Sequence, residues 1–183
     1  MEEGVITREM ALERTAQLTV QDLMTRRVVA VNGQDLVPLA HAATASSGVA
    51  IGEMALDEQR ARARVAAGAS VILVRRDAET SDMAALASSV GLLTQRGART
   101  SHAAVVARQL GKVCLVGCSE LTLDEVARTV AIGGVPFHEG DVITLDGNEG
   151  EIFEGEAQTV IEEPVDLLAR LSRLNDPANA QQG

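Results

Sequence analysis

The order of apolar and polar positions divides the chain into three zones. From about Thr7 to Val37 the composition is helical, MALERTAQL followed by VQDLMTRR, with Thr19 placed to cap the second piece. Asn32-Gly33 interrupts this zone and Pro38 follows it. The central zone opens after HAATASSG, an alanine-rich connection that holds His41, and closes near Gly155. Inside it the period switches repeatedly. The short apolar runs GVAIGEM, SVILVRR, VGLLT and VCLVG have strand character. They alternate with the helical stretches LDEQRARARVAAG, SDMAALASS and SHAAVVARQLG. The first helix is expected to stop at Gly68 and the third at Gly111, while Ser81 or Asp82 caps the second. From Leu121 the pattern turns to hairpins. Val130 and Ile132 alternate before Gly133-Gly134, VITL runs into Asp146-Gly147, and EIF returns. After Pro164 the stretch VDLLARLSRL places Val165, Leu168 and Leu171 near helical spacing, and DPANAQQG reads as a disordered end. The chain is therefore expected to be mixed α/β, with a helical N-terminal arm over 1–37, a central domain over 38–156, and a C-terminal helical arm with its tail over 157–183.

Composition narrows the function classes. The 183 residues include 26 acidic and 16 basic side chains, a formal charge of −10, and 46% are hydrophobic. That suits a globular domain with a real core. A net negative chain with two aromatics, Phe137 and Phe153, lacks the basic groove and stacking rings of a nucleic-acid binder. No apolar run has the length of a membrane span, and no charged-then-apolar signal segment opens the chain. Cys114 and Cys118 are too few for a disulfide framework, so a cytoplasmic location is expected.

The chemistry is concentrated in GLLTQRGARTSHAAVVARQLGKVCLVGC, from Gly91 to Cys118. A strand ends at Thr94, and Gln95, Arg96, Gly97, Ala98 and Arg99 form a polar loop. Thr100 or Ser101 then caps a helix whose first turn contains His102. Unpaired backbone N–H groups and the positive end of the helix dipole lie beside such an imidazole. That field disfavours imidazolium and leaves the ring a neutral nucleophile. The same field stabilises an anion attached to the ring, and Arg96 and Arg99 add charge suited to phosphate oxygens. An isolated histidine at a helix start is more often a surface or capping residue, so spacing alone leaves both readings open. Cys114 and Cys118 with His102 and His138 can be sketched as a zinc site, but the spacing is irregular and core packing is the expectation. No metal site is assigned. His41 and His138 are expected to be solvated.

The stretch GARTSHAAVVAR resembles the phosphohistidine swivelling (mobile) domain of the phosphoenolpyruvate-utilising enzymes, whose pattern is Gly-Gly-x-Thr-Ser/Cys-His-x-x-(apolar)-(apolar)-Ala-Arg. Pyruvate phosphate dikinases give the fullest match. It extends through GK-x-C, the lead-in VILVRR…ETSDMAAL…GLLTQRG, the later EGDVITLDGNEGEIFEGE, and upstream ASSGVAIGEMALD and ITREMALER. The resemblance implies a layered β/β/α swivelling fold flanked by helical arms. It implies that His102 accepts a phosphoryl group and hands it on, with Arg96, Gly97 and Arg99 supporting the phosphate loop. Thr100 matches the threonine that a regulatory kinase modifies in some dikinases and Ser101 is its neighbour, so both are candidate regulatory sites, where a phosphate would repel the incoming phosphoryl donor. One position departs from the pattern: Ala98 stands for the second glycine, and a positive φ there would strain the loop.

The full dikinase reaction also requires a nucleotide-binding, ATP-grasp-like domain and a phosphoenolpyruvate/pyruvate-binding barrel. Neither fits in this chain, which shows no Gly-rich phosphate loop or carboxylate metal cluster. Those domains are the expected partners, and Mg2+ is expected at their sites, with no cofactor held by this chain. The opening Met, helical start and polar tail favour a free-standing subunit. The leading expectation is thus a phosphotransferase component. The alternative is a docking or regulatory module that keeps the fold without turnover, and a third is a purely structural domain.

Overall fold

A computed structural model of the chain describes residues 24–29 and 36–162. The helical readings of 10–18 and of the stretch after Pro164 lie outside the described residues. Strands β1 (Thr25–Val28), β2 (Ala40–His41), β3 (Ala43–Ser46) and β4 (Val49–Ala55) precede helix α1 (Glu58–Ala66). Strand β5 (Val71–Arg75) leads through a 3-10 turn (Thr80–Asp82) to α2 (Met83–Ser88), and β6 (Gly91–Thr94) leads to α3 (His102–Gln109). The remaining strands are β7 (Val113–Val116), β8 (Leu121–Asp124), β9 (Thr129–Ile132), β10 (Val135–His138), β11 (Val142–Asp146), β12 (Glu151–Glu154) and β13 (Thr159–Glu162). Arg27–Val160 forms one compact unit, and the second unit, made of the chain ends, is described only at 24–26 and 161–162.

Three layers result, a β/β/α arrangement. An eight-stranded sheet runs in the order β2-β12-β11-β4-β5-β6-β7-β3, and a separate three-stranded sheet runs β10-β9-β8. Strands β4 to β7 are mutually parallel, each consecutive pair joined through a helix, while β11 and β12 add antiparallel beside β4. Period-2 alternation along β5 separates the two cores. Ile72 and Val74 join a cluster with Cys118, Leu121, Val130, Ile132 and Phe137, on the side of the small sheet. Val71 and Leu73 join the helix side, where Ala61, Ala85, Ala103, Ala104 and Ala107 are buried. Alanine on every helix lets the helix backbones lie close to the sheet. The alternating βα pattern and the hairpin-rich end read from the sequence are both present.

Three local readings differ. VQDLMTRR has helical composition, yet its described end lies in β1, which pairs with β13. Pairing with a distant strand outweighs a weak local preference. HAATASSG is not a connection but supplies both edge strands of the large sheet. Ala40 and His41 pair with β12, while Ala43, Thr44 and Ser46 pair with β7. Small residues carry no alternation signal, and they are needed where strands approach closely. Ala42 donates its N–H to Gly150 O at 2.9 Å, and a Cβ on Gly150, at φ 80°, would stand 2.5 Å from Ala42 O. Neither Ser81 nor Asp82 caps α2 through its side chain. The Asp82 carboxylate turns back instead to accept from Glu79 N–H at 2.9 Å and Arg75 Nε at 3.1 Å.

Candidate functional site

Parallel pairing continues past the end of β6, because Gln95 and Arg96 donate their N–H groups to Arg75 O and Arg76 O at 3.0 and 2.8 Å. The chain then leaves the sheet through Gly97, at φ 115°. Ser101 is extended at φ −61°, ψ 154°, donates its N–H to Ala98 O at 2.9 Å, and accepts from Ala104 N–H at 3.3 Å through Oγ. Ser101 is therefore the cap, while Thr100 is exposed. His102 is the first residue of α3 and is exposed. Ala103, Ala104 and Ala107 hold the inner face of α3, and Arg108 donates from Nε and NH2 to Ala45 O at 3.1 and 2.7 Å. The C-terminal end of the helix is thus tied to β3, and the histidine at its other end is presented at the carboxyl ends of the parallel strands, where open α/β sheets bind ligands.

The backbone around it is rich in free donors. Gly97, Ala98, Arg99, Thr100, His102 and Ala103 have N–H groups with no acceptor among the described residues. Arg96 and Arg99 are exposed and make no ion pair or side-chain hydrogen bond among the described residues. A run of free N–H groups leading into a helix N-terminus, flanked by two uncommitted guanidinium groups, favours a tetrahedral anion. All six residues singled out in the sequence, Arg96, Gly97, Arg99, Thr100, Ser101 and His102, share this one loop and helix start.

Ala98 does not have the strained backbone expected of it. Among the described residues Arg128, at φ 55°, is the one non-glycine in the left-handed region, so the positive φ of the loop falls on Gly97 and not on Ala98. Cys114 and Cys118 are buried in different clusters, on the helix side and the small-sheet side of the large sheet. That separation defeats a shared metal, and burial pushes the Cys114 thiol up to about 12. His41, on β2, and His138, on β10, are exposed.

Two features near the carboxyl edge escaped the sequence reading. Thr94, the last residue of β6, is 1% exposed and its Oγ1 has no hydrogen-bond partner among the described residues. In addition, Arg128 donates to Glu139 and to Asp57, the latter at 2.7 Å, while Glu139 accepts from Leu56 N–H at 2.9 Å. This network ties the β8–β9 turn to the start of α1. Its members lie far apart in sequence, so no local spacing announces it.

Residues 68–150 match the family described as PEP-utilising enzyme, mobile domain. The chain is 38% identical over 161 residues to pyruvate, phosphate dikinase of Clostridium symbiosum, across 87% of this chain and 18% of that protein. It is 37% identical over 164 residues to the Entamoeba histolytica dikinase, across 90% and 18%. For the Rickettsia felis dikinase the identity is 37% over 188 residues, across 99% and 21%. An NMR structure of Enzyme I is similar over 58% of this chain and 38% of its own, at 26% identity and a TM-score of 0.34. The chain spans about a fifth of the length of the dikinases it matches. On this likeness, which runs through the loop and helix start that present His102, the chain belongs to the family of the PEP-utilising enzyme mobile domain.

Proposed function

We propose that this chain is the phosphoryl carrier of a pyruvate phosphate dikinase-like reaction and that His102 is the group loaded and unloaded. The observation that carries the reading is the exposed imidazole on the first residue of α3, set among backbone N–H groups that lack acceptors among the described residues. In loading, the lone pair of a neutral ring nitrogen forms a bond to phosphorus. The bond from phosphorus to the donor's leaving oxygen breaks as this happens, and its electron pair departs with that oxygen. In unloading, an acceptor oxygen attacks phosphorus and the N–P electron pair returns to the ring. With pyruvate as acceptor, its enolate oxygen attacks and phosphoenolpyruvate forms. Arg96, Arg99 and the N–H groups of Ala98, Arg99 and Thr100 balance the phosphoryl charge.

The donor and acceptor sites lie on other domains, a nucleotide-binding ATP-grasp-like one and a phosphoenolpyruvate/pyruvate-binding barrel, with Mg2+ at those sites. Residues 38–156 form the carrier, and 1–37 and 157–183 are arms that join or position it. A detached carrier must replace with docking affinity the effective concentration that a tether supplies. The cytoplasm is the compartment proposed, in keeping with two buried, unpaired thiols. Thr100 is the regulatory candidate: its hydroxyl is exposed, whereas that of Ser101 is engaged in the cap. A phosphate on Thr100 would repel the incoming donor. The docking-module alternative has two grounds, strain at Ala98 and the partner domains missing from this chain, and with Ala98 outside the left-handed region the first is gone.

The test is intact mass and acid lability after exposure to phosphoenolpyruvate, or to ATP with phosphate, in host extract beside His102→Ala. The expected result is an acid-labile phosphoryl group, absent from the variant. An acid-stable group on Thr100 would establish regulation, and no labile group from either donor would overturn the carrier reading.

A further inference from the structure

Thr94 ends β6 directly beneath the loop that leads to His102. Its side chain is buried, and its hydroxyl has no partner among the described residues. A buried hydroxyl left unpaired is costly, and native proteins seldom retain one without a compensating role. Three residues further on, the N–H of Gly97 also lacks an acceptor. Oγ1 of a threonine reaches the N–H two or three residues ahead in the common turns of Ser and Thr. The N–H two ahead, on Arg96, is already given to Arg76 O. Gly97 is therefore the nearby donor still available.

The Gly97 backbone already passes close to the Thr94 hydroxyl. A Cβ built on Gly97 would sit 3.6 Å from Thr94 Oγ1, and its other close neighbour is Val116 Cβ at 4.0 Å. Gly97 is at φ 115°, and as glycine it can turn its peptide groups through regions closed to other residues. A rotation of the Arg96–Gly97 peptide toward Thr94 would join two unsatisfied groups at once.

We infer that Thr94 is a positioning residue for the loaded carrier. When His102 bears a phosphoryl group, the loop from Gln95 to Arg99 draws in and Gly97 donates its N–H to Thr94 Oγ1. The latched loop holds the following N–H groups on the phosphoryl oxygens. Attraction between those N–H groups and the dianion supplies the difference between the two loop states, as any population shift requires. The inference rests on the phosphocarrier reading of His102.

A chemical donor tests it without any partner. With phosphoramidate, the ring nitrogen of His102 forms the N–P bond as the P–N bond of the donor breaks and ammonia leaves. The half-life of the labile phosphoryl group at neutral pH is then followed by intact mass for wild type, Thr94→Val and Thr94→Ser. The Tm of each unloaded protein is measured alongside. Thr94→Val keeps the shape and removes the hydroxyl. It should shorten the half-life about fivefold, the effect of one net hydrogen bond, without lowering the unloaded Tm. Thr94→Ser should stay within about twofold of wild type. Equal half-lives in Thr94→Val and wild type would overturn the inference and leave the carrier reading standing. A lowered unloaded Tm in Thr94→Val, rescued by Thr94→Ser, would also overturn it, because the hydroxyl would then be satisfied before loading, for instance by a buried water. Failure of the wild type to accept any labile group would overturn the carrier reading itself, and that result is distinct because no variant enters it.

Discussion

At Ala98 the chain departs from the glycine pair of its family, and the backbone shows why the departure is tolerated. The left-handed step of the loop is taken by Gly97, at φ 115°, so the next position has no conformational need for glycine. Restoring the family residue should therefore be mildly harmful. Ala98→Gly adds freedom to the unfolded chain and is expected to lower stability by about 0.4–1 kcal/mol. Loading of His102 should be unchanged. Thermal denaturation beside a phosphorylation assay checks both, and a gain in transfer would show that the methyl group hinders the donor. Thr94 is the complementary case, a residue whose backbone role as a strand end is plain and whose side chain waits for a partner.

At the scale of elements, α3 is the part that turns sequence into a presented imidazole. Its inner face is alanine and its outer face begins with His102, while Ser101 closes the first turn by accepting from Ala104 N–H. Ser101→Ala should cost about 1 kcal/mol, the usual worth of such a cap, and should loosen the turn that holds the histidine. Thr100→Ala should change stability by less than about 0.5 kcal/mol, as an exposed residue outside the cap. Urea denaturation of the two variants separates the roles that the sequence left shared between neighbours. The helix pattern itself was legible because SHAAVVARQLG puts its small residues at helical spacing. The cap was not, since Thr and Ser are equally competent and only the backbone path chooses between them.

Across the whole molecule, the network of Arg128, Glu139 and Asp57 joins the β8–β9 turn, the chain after β10 and the start of α1. Burial alone would raise the Glu139 carboxyl, but its hydrogen bonds from Arg128 and from Leu56 N–H outweigh this and hold it below the ordinary value of 4.5. Burial also opposes Asp57, yet Arg60 N–H and Arg128 hold it below the ordinary value of 3.8. With depressed native values, the unfolded chain binds more protons in acid. The stabilisation is complete above the ordinary values and is lost as pH falls through the lower native ones. Stability by urea denaturation should therefore decline below about pH 4.5. Arg128→Met should flatten that decline and lower stability near neutral pH by about 2–3 kcal/mol, because Glu139 stays buried with its partners reduced. An unchanged acid slope in the variant would mean that other carboxylates govern it.

The sequence alone determined the features that depend on near neighbours. The βα alternation follows from period switching, the hairpins from Gly133-Gly134 and Asp146-Gly147, and the histidine at a helix start from the order of loop, cap and small residues. Tertiary structure decided whatever depends on approach across the fold. HAATASSG has no alternation to read, yet it makes both sheet edges because its small side chains let Ala42 meet Gly150. The chain at Thr25–Val28 became a strand because β13 was there to pair with it. Arg128, Glu139 and Asp57 met across the fold, and Thr94 was left with a buried hydroxyl by the loop folded over it. Each of these outcomes is a distance between residues far apart in the chain or a backbone angle, and neither quantity is written in local residue order.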